Sequence, residues 1–316
     1  MLKVRNLKTY FYTQRGTVKA CDDISFDIDH GRNLGLVGES GCGKSMCCLS
    51  ILKLIPPEGN IVSGEVLYKG RDILSMDNKE LRKIRGNKIS MIFQEPMTSL
   101  NPVLSIGEQM TEAVLAHKDI NYKEAKALSI ELLSKVKIDR PKSRFSEYPH
   151  NLSGGMRQRV MIAMAISCRP DILIADEPTT ALDVTIQAGI LELLDELQNE
   201  YNMSVLIVSH DFGVIARLAD RVAVMYAGEI VEYAGAEDLF KNPLHLYTKG
   251  LLSSIKQIDK RDKRLSTLKG AVCELDNLPK GCRFSPRCDL ASSECREALP
   301  ELKEISAGHF VRCVKS

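Results

Sequence analysis

The amino-acid sequence predicts an α/β protein with a mostly parallel sheet and crossover helices. Short apolar runs alternate with helical patterns along much of the chain, and a Gly-rich loop lies between one such run and a helix. The composition, with 44% hydrophobic and 27% charged residues, is that of an ordinary globular chain. The length of 316 residues allows two or three domains. Disordered, collagen-like and coiled-coil chains are excluded.

The elements are predicted from the spacing of apolar residues. A strand over 33–37 precedes the Gly-rich loop and a helix over 44–54. Residues 61–93 predict strands around a helix-like piece at 78–84, and helical spacing follows over 106–136 and 157–167. The later segments alternate strand and helix, at 172–175, 184–201, 204–208, 212–218 and 222–225.

The helical stretch interrupts this alternation and predicts a helical subdomain, about residues 96–168, inserted in the α/β core. From Lys241 onward the chain has 15 Lys and Arg against 9 Asp and Glu, whereas residues 1–240 carry a net charge of −4. This change in composition predicts a nucleotide-binding domain over 1–240 and a C-terminal extension over 241–316.

Net charge and apolar runs indicate where the chain works. A net charge of +2 gives no strong field that would attract nucleic acid. No apolar run approaches the ~20 residues that span a bilayer, and the N-terminal residues lack the apolar core of a signal peptide. The sequence therefore predicts a cytosolic chain that works at a membrane only through a partner.

Residues 38–45 match the phosphate-loop pattern G-x-x-x-x-G-K-[ST] between a predicted strand and a predicted helix. Backbone N–H groups and the helix N-terminus would face the phosphates of a nucleotide. Lys44 would reach the β- and γ-phosphates, and the Ser45 hydroxyl would bind Mg²⁺. The predicted nucleotide contacts are Gly38, Ser40, Gly41, Cys42, Gly43, Lys44 and Ser45.

The predicted strand at 172–175 leads into two carboxylates. Asp176 is placed to hold Mg²⁺, and Glu177 to polarise a water molecule for attack on the γ-phosphate. Acidic residues that only cap a following helix are the alternative for this pair.

Residues 151–159, NLSGGMRQR, resemble the signature of ATP-binding cassette (ABC) ATPases. The resemblance covers about residues 1–235 and implies a RecA-like ABC core. It also implies that Ser153, Gly154 and Gly155 grip the γ-phosphate of an ATP molecule held by a second ABC ATPase subunit, most simply a different chain in a heterodimer. The N–H groups that begin a helix suit this task.

Other segments match this family in the same order along the chain. Gln94 matches the Q-loop, which would sense Mg²⁺ and the attacking water, and residues 97–102 would face a coupling helix of a membrane partner. His210 matches the switch histidine that contacts the γ-phosphate, and Asp183 matches the D-loop across the dimer.

An aromatic side chain stacks on adenine in this family. Phe11 is the candidate, with Tyr10 and Tyr12 as alternatives from the same segment. An aromatic residue on a strand can equally belong to the core.

Within the family, the chain looks like the oligopeptide/dipeptide importers at Glu39 of the phosphate loop and in residues 94–102, 175–185, 242–248 and 251–252. It departs from them at Leu246, where that subfamily usually has Pro. The resemblance implies an ATPase subunit at the cytoplasmic face of the membrane. Its partners would be two transmembrane permease subunits and an extracytoplasmic substrate-binding protein, without nucleic acid. A nickel or other small-solute importer is an alternative. A soluble ABC ATPase acting on nucleic acid or ribosomes is a more distant one.

Four cysteines of the extension follow the spacing C-x₅-C-x₆-C-x₁₇-C, at Cys282, Cys288, Cys295 and Cys313. Four thiolates suit Zn²⁺ or an iron–sulfur cluster, and free thiols are a third possibility. The subfamily resemblance implies a [4Fe–4S] cluster, with Cys273 as an alternative ligand. The predicted cofactors are therefore ATP, Mg²⁺ and this cluster, with Zn²⁺ as its alternative.

Overall fold

The computed structural model describes residues 1–94, 99–180, 182–256 and 270–315. The chain divides into two compact units. The first comprises Met1–Asp29, Asn33–Ser75 and Ile207–Ser316, and the second comprises His30–Arg32 and Met76–Leu206. In the described ranges no helix combines the length and apolar character needed to pass through a bilayer.

The strands are numbered in chain order. They are β1 (Leu2–Thr13), β2 (Gly16–Ile28), β3 (Asn33–Val37), β4 (Gly59–Tyr68), β5 (Arg71–Asp72), β6 (Ile89–Ile92), β7 (Ile172–Asp176), β8 (Ser204–Ser209), β9 (Arg221–Tyr226), β10 (Glu229–Gly235), β11 (Lys303–Ser306) and β12 (His309–Val311).

The helices are also numbered in chain order. They are α1 (Lys44–Ile51), α2 (Asn78–Ile84), α3 (Ile106–Leu115), α4 (Tyr122–Lys135), α5 (Pro141–Arg144), α6 (Gly154–Ile166), α7 (Val184–Tyr201), α8 (Phe212–Leu218), α9 (Ala236–Lys241), α10 (Leu246–Lys256) and α11 (Ser293–Glu297).

The first unit contains an antiparallel sheet in the order β2-β1-β4-β5. At the start of β1 the buried Leu2 and Val4 alternate with the more exposed Lys3 and Arg5, because one face of the sheet packs on the core. The pairing register then shifts between Val4 and Leu7, where Asn6 has a φ of 47°. Neither β1 nor β2 was predicted as a strand from apolar spacing.

The first unit also contains strands in the order β11-β12-β10-β9-β3, in which β3 and β9 are parallel. The turn between β9 and β10 places Ala227 and Gly228 at positive φ, the conformation of a tight hairpin turn. The short β12 near the C-terminus pairs with β10 through Glu232 and Tyr233. The C-terminal extension therefore adds strands to the same sheet as β9 and β10.

In the second unit β6 and β7 are parallel, with Ile89 opposite Ile172 and Ile92 opposite Ala175. Their parallel pairing, like that of β3 and β9, confirms the predicted α/β class. Ser204, at the start of β8, donates to the carbonyl of Asp171 just before β7. β8 then continues into the first unit at Ile207.

The helical part of the second unit contains α3 to α6, inside the range predicted for the inserted subdomain. The single helical pattern predicted over 106–136 is two helices, because a capping box formed by Asn121 and Glu124 begins α4. The predicted domain boundary at residue 240 stays a prediction. The two compact units do not meet at that residue, because the extension belongs to the same unit as β1 to β5.

Candidate nucleotide site

The phosphate loop lies between β3 and α1 in the first unit, as predicted. Gly43 caps the start of α1 with φ 106°, and a Cβ there would come within 2.1 Å of the Ala20 carbonyl oxygen. A Cβ on Gly38 would come within 2.2 Å of the Met225 carbonyl oxygen. Both positions therefore require glycine. Ser40 and Gly41 are exposed at the turn of the loop.

Lys44 is buried and points back over this loop. Its Nζ donates to the carbonyl oxygens of Gly38 at 2.8 Å and Glu39 at 3.1 Å, and lies 3.8 Å from Sγ of Cys42. Burial raises the pKa of the Cys42 thiol, and the Lys44 charge opposes that rise. Cys42 is therefore a buried, protonated thiol within the loop. Ser45 follows on the first turn of α1 and is partly exposed.

Three polar side chains meet at the ends of β6 and β7 in the second unit. Oε2 of Glu177 accepts hydrogen bonds from Nε2 of Gln94 at 3.1 Å and from the Thr180 hydroxyl at 2.7 Å. The contact with Gln94 forms because the carboxyl ends of parallel neighbours lie at the same sheet edge. Two bonds thus fix the direction of the Glu177 carboxylate.

Glu177 has a left-handed backbone conformation with φ 47°, an unfavourable region for a residue with a side chain. It lies immediately after Asp176, which ends β7 and is buried. Strained backbone at such a position is typical of functional sites. The partner Thr180 was missed by the sequence analysis, although its position three residues after Glu177 fits a turn that returns a hydroxyl to the carboxylate.

Ser153 is the N-cap of α6, and its hydroxyl accepts the N–H of Met156 at 3.3 Å. It is exposed, so the start of α6 faces outward. A Cβ on Gly155 would lie 2.7 Å from Cγ2 of Ile186, in the first turn of α7. Asp183 is exposed and caps α7 by accepting the N–H of Ile186 at 2.9 Å. The signature turn and the start of α7 are therefore neighbours within the second unit.

His210 is exposed and directly follows β8, as predicted. The next residue, Asp211, caps α8 by accepting the N–H of Gly213 at 2.7 Å. This cap fixes the turn that carries the histidine.

The three aromatic candidates for adenine stacking occupy different surroundings on β1. The Phe11 ring packs over Gly59, where a Cβ would come within 2.7 Å of it. Tyr10 donates its hydroxyl to Asp22 at 2.5 Å, and Tyr12 is 61% exposed. Phe11 stays the prediction.

The four cysteines of the extension line one cavity of about 20 Å³, together with His245 and Phe284. The four are Cys282, Cys288, Cys295 and Cys313. Burial, together with the charges of Glu229, Cys313 and Cys295, raises the pKa of Cys282 to about 11, although a hydrogen bond with the Phe284 backbone opposes the rise.

These thiols are a soft donor set that fits iron or zinc chemically. As the side chains are arranged, no group of three or more His, Cys, Asp or Glu in the described ranges is placed to hold a metal ion. Cys273 does not line this cavity, and its thiol contacts the carbonyl oxygen of Arg283 at 3.1 Å.

Residues 95–98 of the predicted Q-loop and Ala181 before the D-loop lie outside the described residues. The neighbouring described residues form a cavity of about 180 Å³ in the second unit. Phe93, Leu100, Met161 and Met164 are among the side chains that line it. An apolar recess therefore adjoins the segment that was predicted to face a membrane partner.

Two family profiles match this chain. The profile described as "ABC transporter" matches residues 21–180, and "Oligopeptide/dipeptide transporter, C-terminal region" matches residues 231–295.

Curated relatives match over nearly the whole chain. The oligopeptide transport ATP-binding protein AppD of Bacillus subtilis is 52% identical over 99% of this chain and 96% of its own. The oligopeptide transport ATP-binding protein OppD of Haemophilus influenzae is 47% identical over 99% of this chain and 96% of its own.

A solved structure is similar over three quarters of the chain. It is a dimeric ATP-binding cassette in a post-hydrolysis state with ADP and Pi. Its TM-score is 0.67 at 28% identity, covering 75% of this chain and 99% of that one.

Proposed function

This chain belongs to the ABC transporter family and carries the C-terminal region of its oligopeptide and dipeptide members, and from that premise we propose that it hydrolyses ATP to power the import of di- and oligopeptides. The observation that carries the catalytic part is the Glu177 carboxylate, held by Gln94 and Thr180 at the end of β7. The extension and the names of the relatives support the peptide cargo.

The residues divide the chemical work. The phosphate-loop N–H groups and Lys44 bind the phosphates, and the carbonyls of Gly38 and Glu39 hold the Lys44 ammonium beside the loop. Glu177 orients a water molecule and accepts its proton as that water attacks the γ-phosphate. His210 would contact the γ-phosphate, and Gln94 would contact the attacking water.

Ser45, Asp176 and Gln94 would hold Mg²⁺. A hydroxyl, a carboxylate and an amide oxygen are the hard donors that this ion prefers. When bound, Mg²⁺ neutralises charge on the β- and γ-phosphates.

Partners complete the proposal. Ser153, Gly154 and Gly155 would grip ATP held by a second ATPase subunit, and Asp183 would lie across that interface. The outward-facing start of α6 supports this arrangement. The importer would contain two permease subunits, and a coupling helix of one of them would dock at the recess beside Phe93 and Leu100, so the chain would sit on the cytoplasmic face of the membrane. A substrate-binding protein would deliver the peptide from outside.

The test is ATP hydrolysis and peptide uptake by the assembled importer with Glu177→Gln. We expect hydrolysis to fall at least about 100-fold, because the base is lost, while ATP binding persists. Glu192→Gln, an exposed glutamate on α7, is the matched control. Full hydrolysis by Glu177→Gln would overturn the assignment of the base. ATP-dependent uptake of nickel, with no uptake of peptide, would overturn the assignment of peptide as the cargo.

The four-cysteine cavity supports a second proposal, a [4Fe–4S] cluster held by Cys282, Cys288, Cys295 and Cys313 with a structural role. Its support is the gathering of four thiols, and the side chains must draw closer to bind it. The chain is purified without oxygen and analysed for iron, sulfide and zinc. We expect equal iron and sulfide with visible absorbance, lost in Cys288→Ser and kept in Cys168→Ser. Zinc alone, or no metal, would contradict the cluster.

A further inference from the structure

The C-terminal extension contacts the phosphate loop through the side chains of Arg287 and Tyr247. Arg287 directs two guanidinium nitrogens at the two carboxylate oxygens of Glu39, at 2.6 Å and 3.1 Å. Glu39 occupies the second position of the loop, a position that the phosphate-loop pattern leaves free. The two residues are 248 positions apart in the chain and belong to the same compact unit.

The surroundings of Arg287 leave it little freedom to move. Its side chain is 4% exposed, whereas that of Glu39 is 28% exposed. The guanidinium carbon lies 5.7 Å from the ring centre of Tyr226 and 5.9 Å from that of Phe284. A two-pronged charged hydrogen bond in such a place is strong and directional, so it fixes the Glu39 side chain.

The backbone of Glu39 is held as well. Its N–H donates to the hydroxyl oxygen of Tyr247 at 2.9 Å, and Tyr247 is fully buried on α10. Its carbonyl oxygen accepts Nζ of Lys44 at 3.1 Å and the N–H of Cys42 at 3.3 Å. Any shift of Glu39 therefore moves the partners that place the Lys44 ammonium.

We propose that Arg287 is a positioning residue for ATP, which together with Tyr247 fixes Glu39 and so holds the phosphate loop in its nucleotide-binding shape. The extension thereby sets the affinity for ATP. This inference rests on the proposed function, since it concerns the same nucleotide loop. It assigns to the extension a part in ATP binding that is separate from any part in choosing cargo.

ATP affinity of the purified full-length chain is the first measurement, because it needs no membrane partner. Arg287→Met removes the positive charge and both hydrogen bonds to Glu39, and we expect ATP to bind about tenfold more weakly. Arg287→Lys keeps the positive charge but not the two-pronged hydrogen bond, and it should restore part of the ATP affinity. Arg296→Met, an exposed arginine on α11, is the matched control and should bind ATP like the unchanged chain.

Glu39→Gln tests the same contact from its other side. Because Glu39 is partly exposed, this change should disturb folding less than a change at the buried Arg287. It should weaken ATP binding to a similar extent, and combining it with Arg287→Met should add little, because both remove one contact. In the assembled importer, Arg287→Lys should raise KM for ATP and leave kcat nearly unchanged.

Two results would overturn the proposal. One is a lower melting temperature in the Arg287 variants with unchanged ATP affinity, which indicates a purely structural contact. The other is full additivity of the Glu39 and Arg287 changes. A chain that fails to bind ATP even when unchanged would instead overturn the proposed function.

Discussion

At the scale of single residues, Ser153 combines two tasks that one substitution can separate. Its side chain caps α6, and Asp caps a helix as well as Ser does. The negative charge of Asp would, however, repel a γ-phosphate. We expect Ser153→Asp to keep the unfolding temperature within about 2 °C, since the cap is preserved, and to abolish ATP hydrolysis by the assembled importer.

Thermal unfolding and steady-state hydrolysis check this prediction. Ser153→Ala serves as the converse variant, because it loses the cap without adding charge, at about 1 kcal/mol of stability. Normal hydrolysis by Ser153→Asp would show that no phosphate approaches this helix end.

Thr180 gives a second prediction at this scale. Thr180→Val keeps the shape of the side chain but removes the 2.7 Å hydrogen bond to Glu177. The carboxylate then loses one of the hydrogen bonds that direct it, and we expect kcat to fall about threefold to tenfold, the range that the loss of one hydrogen bond gives. ATP binding should be unchanged, and Thr180→Ser should restore the rate. A Thr180→Val enzyme with unchanged kcat would contradict a positioning role.

The residues that the sequence reveals are those with a fixed local pattern. Lys44 and Ser45 follow from the spacing of one loop, and the pairing of Gln94 with Glu177 is consistent with the family's motif order. Thr180 has only the weak local signal of a turn, three residues after Glu177, and Arg287 follows no local rule. The contact between Arg287 and Glu39 joins distant parts of the chain, and only the folded packing brings the two charges together.

At the scale of elements, the segment entering α10 contains a buried histidine. His245 is 2% exposed, and its Nδ1 accepts the N–H of Tyr247 at 3.1 Å. Burial, and to a smaller extent Lys249, lowers the pKa of His245 to about 4. The unfolded chain, with a pKa near 6.5, binds more protons between these values. His245 therefore contributes stability above about pH 6.5 that is lost as pH falls toward 4, at most about 3 kcal/mol.

Glu229, at the start of β10, gives the stability the opposite dependence on pH. Burial raises its pKa to about 7 although Arg283 and Arg312 oppose the rise. The native chain then binds more protons than the unfolded chain between about pH 4.5 and 7, so this contribution is lost as pH rises through that window.

We therefore expect a nearly flat stability profile between pH 5 and 7 for the unchanged chain. In the His245→Asn variant only the Glu229 contribution remains, so the stability of the variant should fall as pH rises. Denaturant unfolding at several pH values measures both curves. An equal stability loss for His245→Asn at every pH would contradict the opposition of the two groups.

Element boundaries followed the sequence where a cap marks them. The predicted bounds of α2 and α7 agree with the structure, and each begins after an Asp that accepts a backbone N–H in the first turn. β1 and β2 were missed because their polar, partly exposed residues weaken the alternation that indicates a strand. Pairing with neighbouring strands stabilises them, a tertiary effect that local spacing does not show.

At the scale of the whole molecule, the extension covers a strand edge and two aromatic side chains of the first unit. β12 pairs with β10, and Phe284 packs on Tyr226 and Tyr247 with ring centres 5.4 Å and 5.5 Å apart. Deleting residues 257–316 removes these contacts and exposes both the edge of β10 and the aromatic rings. We expect the melting temperature to drop by more than about 5 °C and the shortened chain to aggregate.

Light scattering and calorimetry measure the two effects. Ile305→Ser, an exposed position on β11, is a control that alters the extension without opening the sheet. A shortened chain that stays monomeric at an unchanged melting temperature would show that the extension is a separate appendage.

The order in which the first unit is synthesised has a consequence. A ribosome makes Glu39 of the phosphate loop 208 positions before Tyr247 and 248 positions before Arg287, the two residues that hold it. Until those positions have been translated, the nascent chain carries a nucleotide loop without its brace. Ribosome stalling between the codons of His210 and Tyr247 would then yield chains that bind nucleotide poorly although every nucleotide-contacting residue has already been made.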